Sequence, residues 1–456
     1  MTAPASRPRP ARRALDELSL PVDASLVDRV GADDPDWLKA DRRAAFEAFE
    51  RLPGESNLLY TPYIDLRLAQ LEGAAVVTEA FRGSGGTGTL PADGDADAFI
   101  EIDDTGSVVV ALSEAAATAS LRVGPLRGDL DAVRDALIAP DAIAADDKFA
   151  QLTRALWSDG VLVDVPDGVT LAKPIVVRWS LGAPDQARFS RTLIRLGDGA
   201  SASLVEEFVP SPDADPDARQ SYFAGTMEVT LGANASLGVA SLQELPANIV
   251  GFQHRTAQIG EAASLRWALA QLGGRLIRSR VDNRLVGNRS SVQQVEIVFG
   301  SDQQLFDLTS YTTHIGKDTT GDLLSKAALL EGSRTFLKGL ITIERSANGT
   351  DSFLGEFGMN LSKQARSVAI PSLEIDQPDC RRAAHSSSVG PIDETQLFYL
   401  ESRGIPPDEA RKFIVLGFLE PVVARVPLAS AQDRLREWLE EKWIAGTDGV
   451  TGEAAA

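Results

Sequence analysis

The spacing of apolar side chains along the chain predicts helices towards both ends and strands between them. Residues 15–70 and 128–158 repeat apolar side chains at helical spacing. From about residue 161 the period changes to alternation, and β-branched residues, glycines and short polar turns dominate for roughly two hundred residues. Helical spacing returns near Asp393, where Gln396 three residues later completes a capping-box pattern.

The first long helix is predicted most clearly. It begins near Asp36 and ends before Pro53-Gly54, a pair that interrupts helices. Its apolar side chains share one face of the helix: Trp37, Leu38, Ala45, Phe46 and Phe49. Arg42 and Arg43 are predicted to lie mostly outside that face.

A short motif recurs within the alternating region. Its form is apolar–Gly–two variable residues–small–Ser–apolar. The four copies begin at Leu196, Leu231, Ile259 and Val286, and the last three recur at spacings of 28 and 27 residues. Recurrence at a nearly fixed interval in a strand-rich region is typical of a solenoid, whose coils stack their apolar residues into one core. We expect the glycine to form the corner of each coil and the small residue to fit the bend.

The predicted fold is therefore mainly β with α: a right-handed parallel β-helix core flanked by N-terminal and C-terminal helical regions. A β-sandwich with similar turns is the alternative, because the copies of the motif are degenerate. The C-terminal helices are expected to form a separate domain appended to the solenoid. The predicted divisions are a disordered tail at 1–14, a mostly helical region at 15–160, the β-helix at 161–385, the helical domain at 386–447 and a disordered tail at 448–456.

The charge balance restricts the partners. The chain has 65 acidic and 45 basic residues and a net charge of −20, which disfavours nucleic acid because its phosphates would be repelled. A dispersed acidic surface fits a salt-rich cytoplasm, where screening removes the self-repulsion. No apolar stretch approaches the ~20 residues of a membrane span, and no apolar signal-peptide core follows the start. We therefore expect a cytoplasmic protein with no membrane partner.

Few residues are candidates for chemistry. Cys380 is the only cysteine, which excludes an internal disulfide and a site of four thiolates for an iron–sulfur cluster in this chain alone. His254 and His314 lie in predicted strands and are interpreted as structural. His385 lies where the solenoid is expected to end, within reach of a partner. The chain has no Gly-x-Ser-x-Gly elbow and no Walker lysine loop, so we do not expect an enzyme.

Residues 371–418 resemble the SufB/SufD family of scaffold proteins of the SUF iron–sulfur cluster assembly system. The stretch holds PSLEI from Pro371, then His385, then SVGPID and ETQLFYLESRGI, and a helix that ends in Gly417-Phe418. Further upstream, Asp159-Gly160 followed by VPDGV is similar to the family's entry into its β-helix, and Lys338-Gly339 is similar to a later coil. The resemblance covers most of the chain.

Within this family the chain is most similar to the SufD-type members. SufB-type members carry a cysteine in the last β-helix coils and a glutamate directly after the histidine. In this chain no cysteine lies in residues 320–370, and Ser386 follows His385. Many SufD-type members have a cysteine two residues before the histidine, where this chain has Ala383, so the role of Cys380 stays open.

The resemblance implies a scaffold subunit of a SufBCD complex. His385 would face a SufB-type partner at the heterodimer junction, where a transient iron–sulfur cluster would form, and neutral imidazole is a suitable ligand for iron. No stably bound cofactor is expected. The C-terminal helices would bind a SufC-type ATPase, and five residues are candidates for that contact or its support: Phe398, Tyr399, Arg403, Phe413 and Phe418.

Two alternatives stay open at the level of sequence. The chain could be a SufB-like scaffold or the subunit of a homodimeric SufBD-type scaffold, and it could pair with itself in isolation. From another class, a β-helix polysaccharide lyase or hydrolase would place clustered carboxylates or a basic residue in a groove along the coils. Acidic residues are plentiful, but no secretion signal accompanies them.

Overall fold

A computed structural model describes residues 16–78, 86–87, 90, 95–212 and 214–453, with the backbone alone for 86–87 and 447–453. The predicted tail at 1–14 lies outside the described residues. The helices are α1 (Ala24–Val30), α2 (Asp36–Arg51), α3 (Glu114–Thr118), α4 (Leu130–Leu137), α5 (Lys148–Leu156), α6 (Glu394–Ser402), α7 (Pro407–Val423) and α8 (Ala429–Glu453). The strands are β1 (Ala75–Val76), β2 (Gly86–Thr87), β3 (Ala98–Asp103), β4 (Val108–Leu112), β5 (Arg122–Pro125), β6 (Asp159–Val165), β7 (Ile175–Leu181), β8 (Gln186–Leu196), β9 (Ser201–Pro210), β10 (Ser221–Leu231), β11 (Ser236–Gln243), β12 (Ile249–Ile259), β13 (Ser264–Gln271), β14 (Leu276–Leu285), β15 (Ser291–Gly300), β16 (Leu305–His314), β17 (Thr320–Leu329), β18 (Arg334–Ile343), β19 (Asp351–Asn360), β20 (Arg366–Ile375) and β21 (Arg382–Gly390).

Strands β6 to β21 build a parallel β-helix. The even-numbered strands from β6 to β20 pair in one sheet, called sheet A, and the odd-numbered strands from β7 to β21 pair in a second, called sheet B. Each coil contributes one strand to each sheet, which gives eight coils from β6–β7 to β20–β21. Neighbouring strands within these two runs pair in parallel. The predicted β-helix is confirmed, and the β-sandwich alternative is wrong.

The recurring motif is the turn from sheet A to sheet B. Leu231 and Ile259 end β10 and β12 and stack on one another in register. The glycine that follows lies against the turn of the preceding coil, and a Cβ on Gly260 would lie 2.5 Å from the carbonyl oxygen of Leu231. The positive φ of the turn falls two residues after the glycine, at Asn234 (58°) and Ala262 (53°). Glycine is therefore required because the coils stack closely at this position. The sequence analysis expected the glycine to form the corner itself, but the residue with positive φ is a different one.

Helices cover the outer faces of both sheets. α5 lies on sheet A, where the rings of Phe149 and Phe252 meet with centroids 4.7 Å apart. α7 and α8 lie on sheet B, and they bury Leu419 and Leu435 against it. Between the two sheets runs a third apolar core. The C-terminal helices are therefore part of this layered packing, contrary to the expected separate domain, because the outer face of sheet B is apolar and has to be covered.

Several boundaries differ from the predicted ones. Residues 15–160 contain the strands β1 to β5 in addition to helices. The solenoid strands run from Asp159 to Gly390 rather than from 161 to 385, and α8 continues to Glu453 through most of the predicted tail at 448–456. No helix in the described part of the chain combines the length and the apolar character that crossing a bilayer requires.

Candidate functional site

The last coil of the solenoid has free edges. Within the described residues, β20 pairs only with β18 and β21 only with β19, so one edge of each strand has no ladder partner. These two strands are 10 and 9 residues long. Ile375 and Val389, one in each strand, are both more than a third exposed. A free strand edge with exposed apolar side chains is a template for pairing with another chain.

His385 lies in the middle of this last coil. It is on β21, opposite Leu354 of β19 in the ladder. Leu354 is fully buried in the core. His385 continues the same core-facing column, but its side chain is exposed because no further coil covers it. The predicted boundary at 385 thus falls inside a strand, and the next helix begins only at Glu394.

Cys380 lies in the turn between β20 and β21. It is a free, half-buried cysteine. Together with Ala383 it packs against an apolar cluster under the last coil, which includes Leu323 and Ile341. The structure therefore brings Cys380 and His385 to the same coil, with the thiol against the apolar cluster and the imidazole in solvent.

Glu356 is a buried acid one coil below the free edges. It is 1% exposed, and its Oε2 accepts a hydrogen bond from the Ile370 N–H at 2.8 Å. Burial raises the pKa of this carboxyl to about 8. Because the hydrogen bond ties β19 to β20, Glu356 supports a strand that carries a free edge. Sequence reasoning missed it, although an acid at a core-facing position of the alternating strand DSFLGEFGMN was an available signal.

The five aromatic and arginine residues singled out in the C-terminal helices fall into two groups. Phe398, Tyr399 and Phe413 are each more than half exposed. Arg403 is also exposed, and its guanidinium carbon lies 5.1 Å from the centroid of the Tyr399 ring. Phe418 instead packs on sheet B, where the Lys326 ammonium lies 4.6 Å from its ring centroid and donates a hydrogen bond to its carbonyl oxygen at 3.0 Å. Four of the five could therefore meet a partner directly, and Phe418 supports the helix.

A cleft joins the last coil to α7. Its volume is about 490 Å³. Ser388 and Gly390 of β21 line one side, and Phe413 and Ile414 of α7 line the other, with Met359 at the base. The strand that carries His385 and the exposed side chain of Phe413 on α7 thus lie on the same cleft.

The other two histidines have structural surroundings. His254 Nε2 lies 2.8 Å from Asp282 Oδ2, and His254 lines a small cavity together with Phe149 and Ala150 of α5. His314 Nδ1 lies 2.8 Å from Thr319 Oγ1 inside the solenoid, and burial lowers the pKa of His314 to about 4. Both side chains are buried, which agrees with their interpretation as structural.

His385 is the exposed candidate metal ligand of this coil, and Cys380 lies in the turn before it. Among the described residues, no group of three or more His, Cys, Asp or Glu side chains is arranged to hold a metal ion. One neutral imidazole can supply one ligand to iron.

Comparison with known proteins assigns the chain to a family. A family model described as "SUF system FeS cluster assembly, SufBD core domain" matches residues 179–418, more than half of the chain. The chain belongs to the SufBD family. The match begins within β7, includes every later strand together with His385, and ends within α7. The last coil, with the free edges of β20 and β21, therefore lies inside the segment that matches the SufBD core domain.

Two relatives agree with this assignment. A Bacillus subtilis protein named "Iron-sulfur cluster assembly protein SufD" is 29% identical over 304 residues, which cover 66% of this chain and 68% of the relative. A Staphylococcus epidermidis protein named "Iron-sulfur cluster assembly SufBD family protein" is 28% identical over 293 residues, which cover 64% of this chain and 62% of the relative. The chain thus matches less than two thirds of the Staphylococcus protein. The predicted family and its SufD-type branch are confirmed.

Proposed function

We propose that this protein is a SufD-like scaffold subunit that takes part in iron–sulfur cluster assembly. Membership in the SufBD family supports the process. The observation that carries the role is His385, an exposed imidazole on a coil whose two outer edges are free. The family assignment also favours this role over the alternative of a polysaccharide lyase or hydrolase.

The free edges of β20 and β21 would pair with the end coil of a SufB-type chain. Such pairing would satisfy the backbone N–H and C=O groups that the last coil leaves without ladder partners. It would also cover Ile375 and Val389. Because two strand edges are used at once, the pairing would fix the relative position of the two chains. A second copy of this chain could use the same edges, and the experiment below separates these outcomes.

The junction between the paired edges of the two chains is called the seam. The iron–sulfur cluster would be assembled there as a substrate and would not be a resident cofactor. His385 would contribute a single imidazole, and the SufB-type partner would contribute the other ligands. Neutral imidazole is a suitable single ligand for iron. The chain's own part is then to present His385 at a fixed place on the seam.

The C-terminal helices would bind a SufC-type ATPase. Phe398, Tyr399 and Phe413 offer exposed aromatic area, which is the residue class that contributes most to protein interfaces. α6 begins shortly after β21 ends, and the cleft between β21 and α7 brings the two surfaces together. Movement of these helices, driven by dimerisation of the ATPase, would therefore be transmitted to the strand that carries His385.

Co-purification with SufB- and SufC-type partners at high salt, followed by native mass spectrometry, tests the pairing. We expect a complex that contains one copy of this chain and one SufB-type chain. The double variant Ile375→Lys and Val389→Lys should weaken the pairing at least about tenfold, because it buries unpaired charge in the seam.

Val286→Lys is the matched control, since Val286 is as exposed as Val389 but lies on a turn of an inner coil. Recovery of homodimers alone would contradict the heterodimer and favour a homodimeric scaffold. Failure of both kinds of pairing, or equal loss with Val286→Lys, would overturn the use of the free edges.

A further inference from the structure

A small cavity lies inside the solenoid, on the inner side of sheet A in the second to fourth coils. Gly225 of β10 faces inward between Ser190 of β8 and Gln253 of β12, its neighbours in the ladders. Because glycine has no side chain, this column of inward-facing residues is interrupted in the third coil. The cavity has a volume of about 10 Å³, close to the smallest volume that holds one water molecule. It lies several coils away from the free edges of β20 and β21, and the proposed function assigns it no role.

One side of this cavity is aromatic. The rings of Trp179, Phe208 and Phe223 line it, and the centroids of Trp179 and Phe223 are 5.5 Å apart. Phe208 also packs against both of the other rings, so the three side chains fix the shape of this wall. An added Cβ on Gly225 would lie 3.0 Å from the Phe223 ring. A side chain at position 225 would therefore take up the space of the cavity and press on that ring.

The other side of the cavity holds a buried ion pair. Arg255 Nη2 lies 3.2 Å from Glu206 Oε2, and both residues line the cavity. Ser241 contacts both partners, since its Oγ accepts a hydrogen bond from Arg255 Nη2 at 2.8 Å and donates one to Glu206 Oε2 at 2.7 Å. Arg255 Nη2 also donates a hydrogen bond to Gln253 Oε1 at 3.1 Å. These contacts fix the guanidinium through Nη2, and its Nε takes no part in them.

Four polar atoms around the cavity have no hydrogen-bond partner in the described part of the chain. They belong to residues that line the cavity, and they are Arg255 Nε, Gln253 Nε2, Trp179 Nε1 and Ser190 Oγ. Each of these four side chains is at most 5% exposed. Three of the atoms are N–H groups that can only donate, and buried groups of this kind nearly always have a partner. The cavity is therefore lined by donors and is suited to a hydrogen-bond acceptor.

The charge and the size of the cavity restrict which acceptor fits. A cation would meet the guanidinium of Arg255 and a set of donors instead of acceptors. An anion would be repelled by the carboxylate of Glu206, and chloride is also larger than the water molecule that this volume holds. A water molecule is neutral, and it can accept hydrogen bonds from N–H groups while it donates to the hydroxyl of Ser190. Water is therefore the ligand that matches both walls.

We propose that this cavity binds one water molecule as a structural component of the solenoid. Its oxygen would accept hydrogen bonds from Arg255 Nε and Gln253 Nε2, and it would donate one to Ser190 Oγ. Ser190 belongs to the second coil, and Arg255 and Gln253 belong to the fourth. The water would thus connect these coils across the third, where Gly225 contributes no side chain. Such a bridge would fix the register of coils whose turn motifs are degenerate, a role that buried polar groups have in other folds.

A high-resolution crystal structure of the full chain detects this water directly. We expect a solvent peak within hydrogen-bond distance of both Arg255 Nε and Gln253 Nε2. Crystals soaked in bromide should give no anomalous signal at that position, because the site does not accept an anion. A cavity without a solvent peak, or a peak that takes up bromide, would contradict the proposal.

The variants Gly225→Ala and Gly225→Ser test the water in solution. Both place a Cβ in the cavity and should displace the water, but only serine returns a hydroxyl to the donors around it. Gly225→Ala should therefore raise the equilibrium constant of unfolding at least about fivefold more than Gly225→Ser, measured by chemical denaturation. Oxygen-17 relaxation dispersion, which counts buried water molecules, should find one fewer in each variant than in the parent.

Gly238→Ala and Gly238→Ser are the matched controls. Gly238 lies on β11 of the same coil, and apart from its chain neighbours an added Cβ there would meet no described residue within 4 Å. These two variants should have the same stability and keep the parent's count of buried waters. Equal stability of Gly225→Ala and Gly225→Ser, or an unchanged water count in both, would overturn the proposal. If neither Gly225 variant folds, the solvent peak in crystals of the parent decides.

Discussion

The two ends of the solenoid differ in how their strand edges are used. In the first coil, β5 pairs with β6 and β3 pairs with β7, so both outer edges are occupied by strands of the same chain. In the last coil, the described residues leave the outer edges of β20 and β21 without partners. A chain that covers one end with its own strands could cover the other in the same way. We infer that the free end is kept for another molecule.

Buried carboxylates are held in two ways, by cations and by backbone groups, and the seventh coil contains both, since Lys338 pairs with Asp307 at 2.6 Å. The end of the solenoid whose edges β3 and β5 occupy is called the covered end. Near it, buried carboxylates lie against arginines: Asp34 pairs with Arg42 at 2.6 Å, and Glu228 pairs with Arg191 at 2.6 Å. Beneath the free end, Glu356 is held by a backbone N–H and keeps a raised pKa. Ion pairs with excellent geometry fix one arrangement, whereas a carboxyl that is neutral at neutral pH does not need a cation.

Breaking a buried ion pair near the covered end should have the largest effect on stability. Asp34→Asn would leave the guanidinium of Arg42, which is buried and also lies 4.9 Å from the Trp157 ring centroid, without its negative partner. We expect a loss of roughly 3–5 kcal/mol in the free energy of unfolding, measured by chemical denaturation. The matched control is Asp28→Asn, because Asp28 pairs with Arg43 on the surface, where both side chains are more than half exposed. The control should cost about 0–1 kcal/mol. Equal losses would show that burial of the Asp34–Arg42 pair does not increase its contribution to stability.

Arg42 also shows where sequence reasoning stops. The helix from Asp36 was predicted with its apolar face, and both are found. Arg42 was predicted to lie outside that face, yet it is fully buried. Helical spacing reports only which residues share a face of one helix. It does not report that Asp34 and Trp157 come together in space to receive a guanidinium.

The solenoid was predictable because its repeat is imposed by stacking. Five successive coils bring a glycine onto the backbone of the preceding turn, so the glycine recurs at the coil interval: Gly197, Gly232, Gly260, Gly287 and Gly316. The end of the solenoid was placed too early for a related reason. β21 has the sequence RAAHSSSVG and has no further coil above it, so it is polar and lacks the alternation that marks a buried strand. His385 was singled out correctly as a residue of the last coil, but the free edges around it follow only from the strand order.

An intermediate effect is expected from the acid beneath the free end. The pKa of Glu356 is raised to about 8 in the folded protein, above its ordinary value of 4.5. The folded state therefore holds this proton more tightly than the unfolded state. The resulting stability is fully present below about pH 4.5 and is lost as the pH rises through about 8. Glu356→Gln should remove this dependence, so the difference between parent and variant should change by at most about 1.4 kcal/mol per pH unit in that window.

Denaturation curves of the parent and the variant at several pH values between 4.5 and 8.5 measure this slope. Glu374→Gln is the matched control, because Glu374 is an exposed acid on β20 of the last coil. It should leave the slope unchanged. A parent protein whose stability rises steadily over this window, with the same slope in Glu356→Gln, would contradict the assignment of a buried neutral acid beneath the free end.

The smallest effect on stability, and the most informative for function, is expected at His385. The side chain is exposed on an unpaired coil, so His385→Ala should change the free energy of unfolding by no more than about 0.5 kcal/mol. If the imidazole holds iron at the seam, the complex with the SufB-type partner should still form but contain less iron and show weaker visible absorption. Ser386→Ala, the next residue on the same strand, should retain both. Full iron content in the His385→Ala complex would remove the histidine from the cluster site, whereas loss of pairing itself would place it among the contacts that hold the two coils together.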